Sequence, residues 1–526
     1  MVICNNIIHS IISRLNCRNQ LNRVHSAIIK FIIMAVGLLS FNDQLYAGQI
    51  KAGVAKVSIT NTGSKGLVND SLYVKALVLD DGTTKIVIIT LDAIVADEIR
   101  IGKDYLTNVR KQLQKDINVK PSDVLFNASH LHGAGYNVSS EIEQLTVQAV
   151  KKAFRSMVPV NIGVGIGYED RIIENRRLRL KNGKEWTIRH ANPLPPDEEV
   201  AGIGPVDPEI GILRLDRKDG RTLAVIYNYA CHPYTGVPNR GATADFPAFA
   251  SRVIEDNMSQ GTMALFLQGF GGDITPILYK DVNNPRNAEP LGTMLGLSTL
   301  QALKKIQCKP GGELKVINEM IELPRRTDIQ QRIESLEAEQ NELLQSLRGT
   351  SLNIKTFIPL FIKYNLSEEY PSYYSHRYLR EKETGRNDLE GLDAENRRNM
   401  DKYLSNIYAM ERLARIQENM SLLKSRLTEY EAAGEKTIKA EIQGIRIGDF
   451  VVITFPGEAV VEVGLNIKKL SPHKYTFVAG YTNGSVGYAP AVEQFKGEAY
   501  EDVNCRLAPE WQKIYEEKVL MMLKRL

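Results

Sequence analysis

From residue 50 to about 320, short runs of apolar residues alternate with stretches whose apolar positions recur every three or four residues. KIVIITLDAIV (85–95) is nearly continuous in apolar character, as a strand buried on both faces would be, and IRIGKDYLTNVRKQLQKDI after it has helical spacing. SDVLFNASHLH (122–132) predicts the next strand and EIEQLTVQAVKKAF (141–154) the next helix. LAVIYNYACHP, TMALFLQGFGGD and DFVVITFPGE repeat one theme, an apolar run that ends in a polar or glycine-rich mouth. The pattern predicts an α/β or α+β domain round a mixed sheet, with chemistry gathered where strands give way to loops.

Residues 325–435 differ: they are rich in Glu, Gln, Arg and Leu. Ile329, Ile333, Leu336, Leu343 and Leu347 follow helical spacing, as do Tyr403, Ile407, Met410, Leu413, Met420, Leu423 and Leu427. We read two long helices paired antiparallel, a helical-hairpin insertion (325–435) on a single catalytic domain spanning 48–526, with the apolar stripes serving packing. The tyrosine-rich stretch KYNLSEEYPSYYSHRY (363–378) between them is read as a lid or binding rim, or else as a surface loop packed on the helices.

At the N-terminus, the apolar run 28–40 is preceded by Arg14, Arg18 and Arg23 and followed by LYAGQ. This predicts a signal peptide (1–47) cleaved near Ala47 and a secreted or periplasmic protein, with an uncleaved anchor as the alternative. No other segment approaches 18 apolar residues. Without the leader the formal charge falls from +4 to +1, so electrostatics gives no reason to expect nucleic acid as a partner. A chain of 526 residues with 43% hydrophobic and 24% charged positions is globular and not disordered. Cys231, Cys308 and Cys505 remain; they lack metal spacing and allow at most one disulfide.

Only six histidines follow residue 47, so their clustering is informative. NASHLHGAG places His130 and His132 two apart at the end of an apolar strand, where both imidazoles would leave one face. Such a pair can share a metal, or one can bind metal while the other handles protons. His232 again ends an apolar run, in YNYACHPYTG, and Glu458 follows VVITF through a Pro-Gly turn. A carboxylate after a buried strand is costly unless paired or metal-bound. Two or three histidines with a glutamate form a catalytic zinc set that leaves a position for water. GFGGDITP (269–276) carries Asp273 and Thr275, and its glycines either turn backbone N–H groups toward an oxyanion or form a tight turn. GxSxG, GxxxxGK[ST] and HExxH are absent.

In this order the segments resemble a known set. NASHLHGAG is similar to ASHTHSGPG, YACHP to ACHP, TADFPAFA to SADYPG, GGDITP to GDVSP, FPGE to PGE, and GYAPAVEQFKGEAYE to YVTTPEEYxxxxYE, which are segments of the neutral/alkaline, non-lysosomal ceramidase family. The resemblance covers most of residues 50–510 and implies one zinc ion held by His130, His232, Glu458 and Tyr488. It implies that His132 stands beside the reacting carbonyl as donor or proton shuttle. It also implies that Arg176, with Asn175 beside it, meets the polar head of the substrate, with Tyr500 as a second polar contact. Arg176 read alone is a charge in a basic run, and Tyr500 a packing residue. Thr275 stands where the family has a catalytic serine; its extra methyl and stiff χ1 favour a helper role over that of nucleophile. The chain ends 26 residues after Tyr500, where the family continues into an Ig-like domain.

The expected function is hydrolysis of a linear amide bond, with ceramide or another N-acylated lipid as substrate and peripheral contact with membrane lipid. The alternatives are the same zinc chemistry on a soluble N-acyl sugar, peptide or other non-lipid amide or ester, and an inactive binding relative. His132 and the Gly271–Asp273 backbone are the expected oxyanion stabilisers. Asp92 and Asp245 are the expected carboxylate partners of the histidines, or else strand-end turn residues.

Overall fold

The computed structural model describes residues 49–526 except 62, 64–65, 95–101, 103, 190–192, 278–285, 372–374, 497 and the side chains of 134–136. The expected signal peptide lies outside the described residues. Eight strands form the first sheet: β1 (Lys51–Ser58), β2 (Tyr73–Asp80), β3 (Lys85–Leu91), β4 (Val124–Ala128), β5 (Val158–Tyr168), β6 (Glu209–Arg217), β7 (Thr222–Tyr229) and β8 (Met263–Gln268). Their order is β8-β7-β6-β5-β1-β2-β3-β4. The outer pairs β3–β4 and β7–β8 are parallel and the central pairs antiparallel.

The sequence pattern predicts a mixed sheet, and among the described residues a second large sheet packs on the first, beside three small ones of two or three strands. β9 (Leu314–Pro324), β10 (Thr437–Ile447), β11 (Phe450–Thr454) and β12 (Thr476–Ala479) form the second, with β11 and β12 parallel. Leu77, Ile86, Ile88, Leu213, Ile226 and Leu265 of the first sheet pack face to face with Ile445, Ile447, Phe450, Val452 and Phe477 of the second. The approach is close: a Cβ added to Gly211 would lie 2.2 Å from the Phe477 ring. This is why β7 is buried at every position and shows no alternation.

Helices cover both outer faces. α1 (Tyr105–Ile117) and α2 (Ile142–Arg155) pack on β2–β4, while α3 (Asp245–Asp256) and α4 (Ala288–Leu303) pack on β6–β8. Further along the chain, α5 (Ile329–Ser346), α6 (Ile354–Leu366), α7 (Ser375–Thr384) and α8 (Asp388–Ala433) lie between β9 and β10. α9 (Val461–Leu470) and α10 (Trp511–Arg525) seal the second sheet through Val463, Ile467, Trp511, Tyr515 and Val519. The result is a helix–sheet–sheet–helix sandwich. Each fully buried large apolar side chain in it contributes about 1.5–3 kcal/mol.

Among the described residues of 329–433 the two long helices expected are α5 and α8, with two shorter ones, α6 and α7, between them. α5 and α8 do run antiparallel: Arg412 pairs with Glu339 at 2.6 Å, Lys424 with Glu337 at 3.0 Å, and the Arg348 N–H donates to Asn406. The stripe fails at Leu347, which is exposed, because α5 stops at Ser346. An Asn353 capping box then starts α6. Tyr364, expected in a lid or loop, is buried against α8, where its hydroxyl donates to Asp393 at 2.5 Å; Tyr373 lies outside the described residues. Among the described residues, Cys231, Cys308 and Cys505 are all free thiols.

Candidate metal centre

The carboxyl ends of β3, β4, β7 and β8 meet those of β11 and β12 at one place. The side chain of Asn127 on β4 stitches them: its Oδ1 accepts from the Gln268 N–H at 2.9 Å, and its Nδ2 donates to the Gly480 carbonyl at 2.7 Å. All the chemistry-bearing residues hang from these strand ends.

His130 and His132 do not leave one face of a strand, as the spacing suggested. β4 ends at Ala128, His130 takes a left-handed conformation (φ 62°), and His132 opens a short 3-10 helix (His132–Asn137). The turn is tied by Ser129 N–H to the Leu91 carbonyl and Leu131 N–H to the Ala93 carbonyl. It brings His132 Nε2 to 3.2 Å from His130 Nε2. The ring of Tyr481, itself left-handed at φ 55°, stacks on His130 at 4.0 Å. His232 follows β7, and Glu458 follows β11 through Pro456-Gly457. Glu458 then pairs in register with Tyr488 in a two-residue parallel ladder.

The hydrogen bonds fix the tautomers. His130 Nδ1 lies 3.1 Å from the Ile94 carbonyl, and His232 Nδ1 lies 2.6 Å from the Gly271 and 3.1 Å from the Ile274 carbonyl. Carbonyls only accept, so both Nδ1 atoms carry hydrogen and both Nε2 atoms present lone pairs. Those lone pairs face the same carboxylate oxygen, Glu458 Oε2, at 3.3 Å and 3.4 Å. His232 Nε2 and Glu458 Oε2 are sealed from solvent without a hydrogen-bond partner. Burial, with the positive charge of Arg176 nearby, lowers the His232 pKa to about 4. Two ring nitrogens and a carboxylate oxygen aimed at one buried point are the kind of donor set that a cation would satisfy. Tetrahedral donors about 2.0–2.1 Å from a zinc ion stand about 3.3–3.4 Å apart, which is the spacing found. The donor set therefore fits zinc.

His132 is the exposed member of the trio, whose ligand atoms all lie within 4.8 Å of one another. Its pKa is held well below the ordinary value by the protein bulk around its ring and by its two neighbouring histidines. Tyr488 is buried, and its hydroxyl accepts from Arg176 Nη2 at 3.2 Å. Arg176 also donates to the Gly272 carbonyl at 2.7 Å and to Glu501 at 2.8 Å. It lies 5.7 Å from the ring centroids of both Tyr488 and Tyr500. Thr275 is fully buried, and its hydroxyl accepts from that of Tyr234 at 2.5 Å; the Tyr234 ring lies 5.6 Å from that of His132.

The structure gives the remaining expected residues partners of their own. The partners of the histidine Nδ1 atoms are the carbonyls above, whereas Asp92 accepts from Tyr73 N–H and Asp245 from Gly236 and Phe246 N–H. In the Gly271–Asp273 backbone, Gly272 N–H is spent on the Ala459 carbonyl, and the Gly271, Gly272 and Asp273 carbonyls accept from His232 and Arg176. The Asp273 carboxylate is fully buried among Asn175, Arg177 and the Val461 N–H, so it builds the site's wall. Asn175 is equally enclosed, donating to Asp273 and the Pro205 carbonyl, and has no free face for substrate.

The sequence reading missed Tyr481, Tyr234, Glu501 and Arg189. Glu501 was in view as the residue after Tyr500, and Tyr234 as the second residue after His232; nothing local marks Tyr481 or Arg189.

Two solved structures share this architecture. One, described as a ceramidase complexed with C2, matches with a TM-score of 0.58 and 17% identity over 91% of this chain and 76% of its own. The other, neutral ceramidase from Pseudomonas aeruginosa, matches with a TM-score of 0.56 and 17% identity over 91% of this chain and 75% of its own. The chain has the neutral ceramidase fold. No family model and no curated protein matches its sequence. In this neutral ceramidase fold the two histidine-bearing strand ends and the glutamate-bearing one come from different sheets, which is why no short motif holds them together.

Proposed function

We propose that the protein is an exported, zinc-dependent hydrolase of a linear amide bond in an N-acylated lipid of the ceramide class. The observation that carries the reading is the convergence of two Nε2 lone pairs on the buried Glu458 Oε2 in a chain with the neutral ceramidase fold. His130, His232 and Glu458 hold the ion, and the Tyr488 hydroxyl, kept in place by Arg176, closes the set. When bound, zinc supplies Lewis-acid polarisation of the amide carbonyl and a lowered pKa for water.

The chain's own residues do the rest. His132, neutral and at the solvent side, takes the proton lost by water and returns it to the departing nitrogen as the C–N bond breaks and the new C–O bond forms. Tyr234, whose hydroxyl is fixed on Thr275, lines the wall beside His132. Thr275 orients Tyr234 and is not the nucleophile. Tyr500 meets the substrate head at the edge of the site, with the buried Arg176 behind it holding Tyr488 in place. Among the described residues no helix is long and apolar enough to cross a membrane.

The test is release of free amine from ceramide and from soluble N-acyl compounds, with and without a zinc chelator. Chelator-sensitive release from ceramide is expected. Release from soluble compounds alone would move the substrate, and chelator-insensitive release would sink the metal.

A further inference from the structure

Helix α6 has apolar residues on two faces and protein against only one. Inward, the Phe357 ring packs 4.9 Å from that of Tyr403 on α8, and Tyr364 is buried beside Asp393. Outward, Ile354, Ile358, Phe361, Ile362 and Leu366 are 55%, 47%, 42%, 51% and 82% exposed. At about 100° per residue these five fall within an arc of about 140°, which Asn365 shares and Lys355 enters near its Leu366 edge. This second, largely apolar face is left to the surroundings.

The charge pattern says what covers it. α6 contains Lys355 and Lys363 and no carboxylate, and Glu368 and Glu369 come only after its end. Arg397 of α8 adds a third positive charge 4.7 Å from the Tyr364 ring centroid. Tyr370, 38% exposed, follows α6 as an aromatic of the kind that settles at headgroup depth. Two copies joined through this face would set lysine against lysine with no carboxylate on α6 to offset them.

We infer that the outward face of α6 lies in the interface of a lipid bilayer, with Ile358, Phe361 and Ile362 below the headgroups and Lys355 and Lys363 among anionic phosphates. A short apolar face edged by lysines is the pattern of an in-plane membrane helix. The inference rests on the lipid-amide reading for its purpose and on α6 for its geometry. Fifteen residues of α8 separate Tyr403 from Glu418, about 22 Å of helix. The membrane face therefore stands apart from the metal centre.

The experiment is co-sedimentation of the whole protein with vesicles of phosphatidylcholine, with and without phosphatidylglycerol. Wild type is expected to bind the anionic vesicles, and Phe361→Glu with Ile362→Glu to bind about tenfold more weakly or worse. Lys355→Glu with Lys363→Glu should remove the preference for phosphatidylglycerol. These side chains are solvent-facing, so an unchanged melting temperature and unchanged hydrolysis of a soluble short-chain N-acyl amide are expected. Failure of wild type to bind either vesicle overturns the inference, as does a monomer–dimer shift in the glutamate variant without loss of vesicle binding. Vesicle binding by a protein that hydrolyses no amide would support the membrane face and sink the substrate reading.

Discussion

The guanidinium of Arg189 sits 3.7 Å from the centroid of the Tyr500 ring and is paired at its end with Glu418 of α8. Tyr500 in turn stacks edge to face on Tyr488 at 5.2 Å, and Tyr488 faces Arg176. The helical region thus reaches the candidate metal centre through a relay of four side chains. Arg415 reinforces the same contact by lying 3.5 Å from the Trp186 ring centroid.

Removing the clamp is expected to cost activity and leave the metal. Glu418→Ala should lower kcat/KM by roughly ten- to a hundredfold through misplacement of Tyr500, with Glu418→Gln intermediate. Zinc stoichiometry and melting temperature, measured on the same samples, should stay near wild type. A fall in melting temperature without a kinetic change would make the contact purely structural.

His232→Ala removes one of the two lone pairs that face Glu458 and leaves the Gly271 carbonyl without its imidazole donor. Loss of zinc and of hydrolysis is expected, with far-UV circular dichroism retained. For wild type, stripping the metal should lower the melting temperature, because an ion that binds only the folded state stabilises it by mass action. A fully active His232→Ala protein would remove the metal assignment.

Thr275 accepts the Tyr234 hydroxyl in a buried pair. Thr275→Ser keeps an acceptor and should keep kcat near wild type. Thr275→Val removes the hydroxyl that accepts from Tyr234, a cost of about 0.5–1.5 kcal/mol read as a lower urea midpoint, together with reduced kcat. If Thr275→Ser raises kcat strongly, the hydroxyl attacks substrate and is not a prop for Tyr234.

Burial raises the pKa of Asp245 to about 7, against the backbone N–H groups of Gly236 and Phe246 that favour its charged form. A raised acid means that the folded state holds a proton the unfolded chain has lost. Its stabilising effect is full below about pH 4 and is lost as pH climbs to about 7. Asp245→Asn, at a left-handed position (φ 53°) that asparagine tolerates, should flatten the melting-temperature profile between those limits. Equal slopes in variant and wild type would refute the assignment.

The strand ends that carry His130, His232 and Glu458 were legible because an apolar run followed by a polar mouth is a local pattern. The second sheet was not, because burial of β7 on both faces reads the same whether a helix or a sheet covers it. The helices of 329–433 were legible in kind and not in number. An apolar stripe says that a helix is present, but the break after Ser346 and the cap at Asn353 decide where one ends and the next begins. Asp92 and Asp245 looked like partners for the histidines by residue type alone, whereas the tight turns after β3 and β8 bring carbonyls there instead.

Residue types, their spacing and the runs that precede them were thus determined by the chain itself: two sheet-ending histidines, a strand-ending glutamate, an arginine and two tyrosines. Tertiary structure alone decided that His130 and His232 turn their Nε2 atoms on one oxygen of Glu458, that Asp273 and Asn175 are wall and not site, and that Tyr481 lies on His130. The reason is that a strand's pattern depends on neighbours along the chain. The direction of a side chain at its end depends on a second sheet far along the chain, Glu458 standing 226 positions after His232.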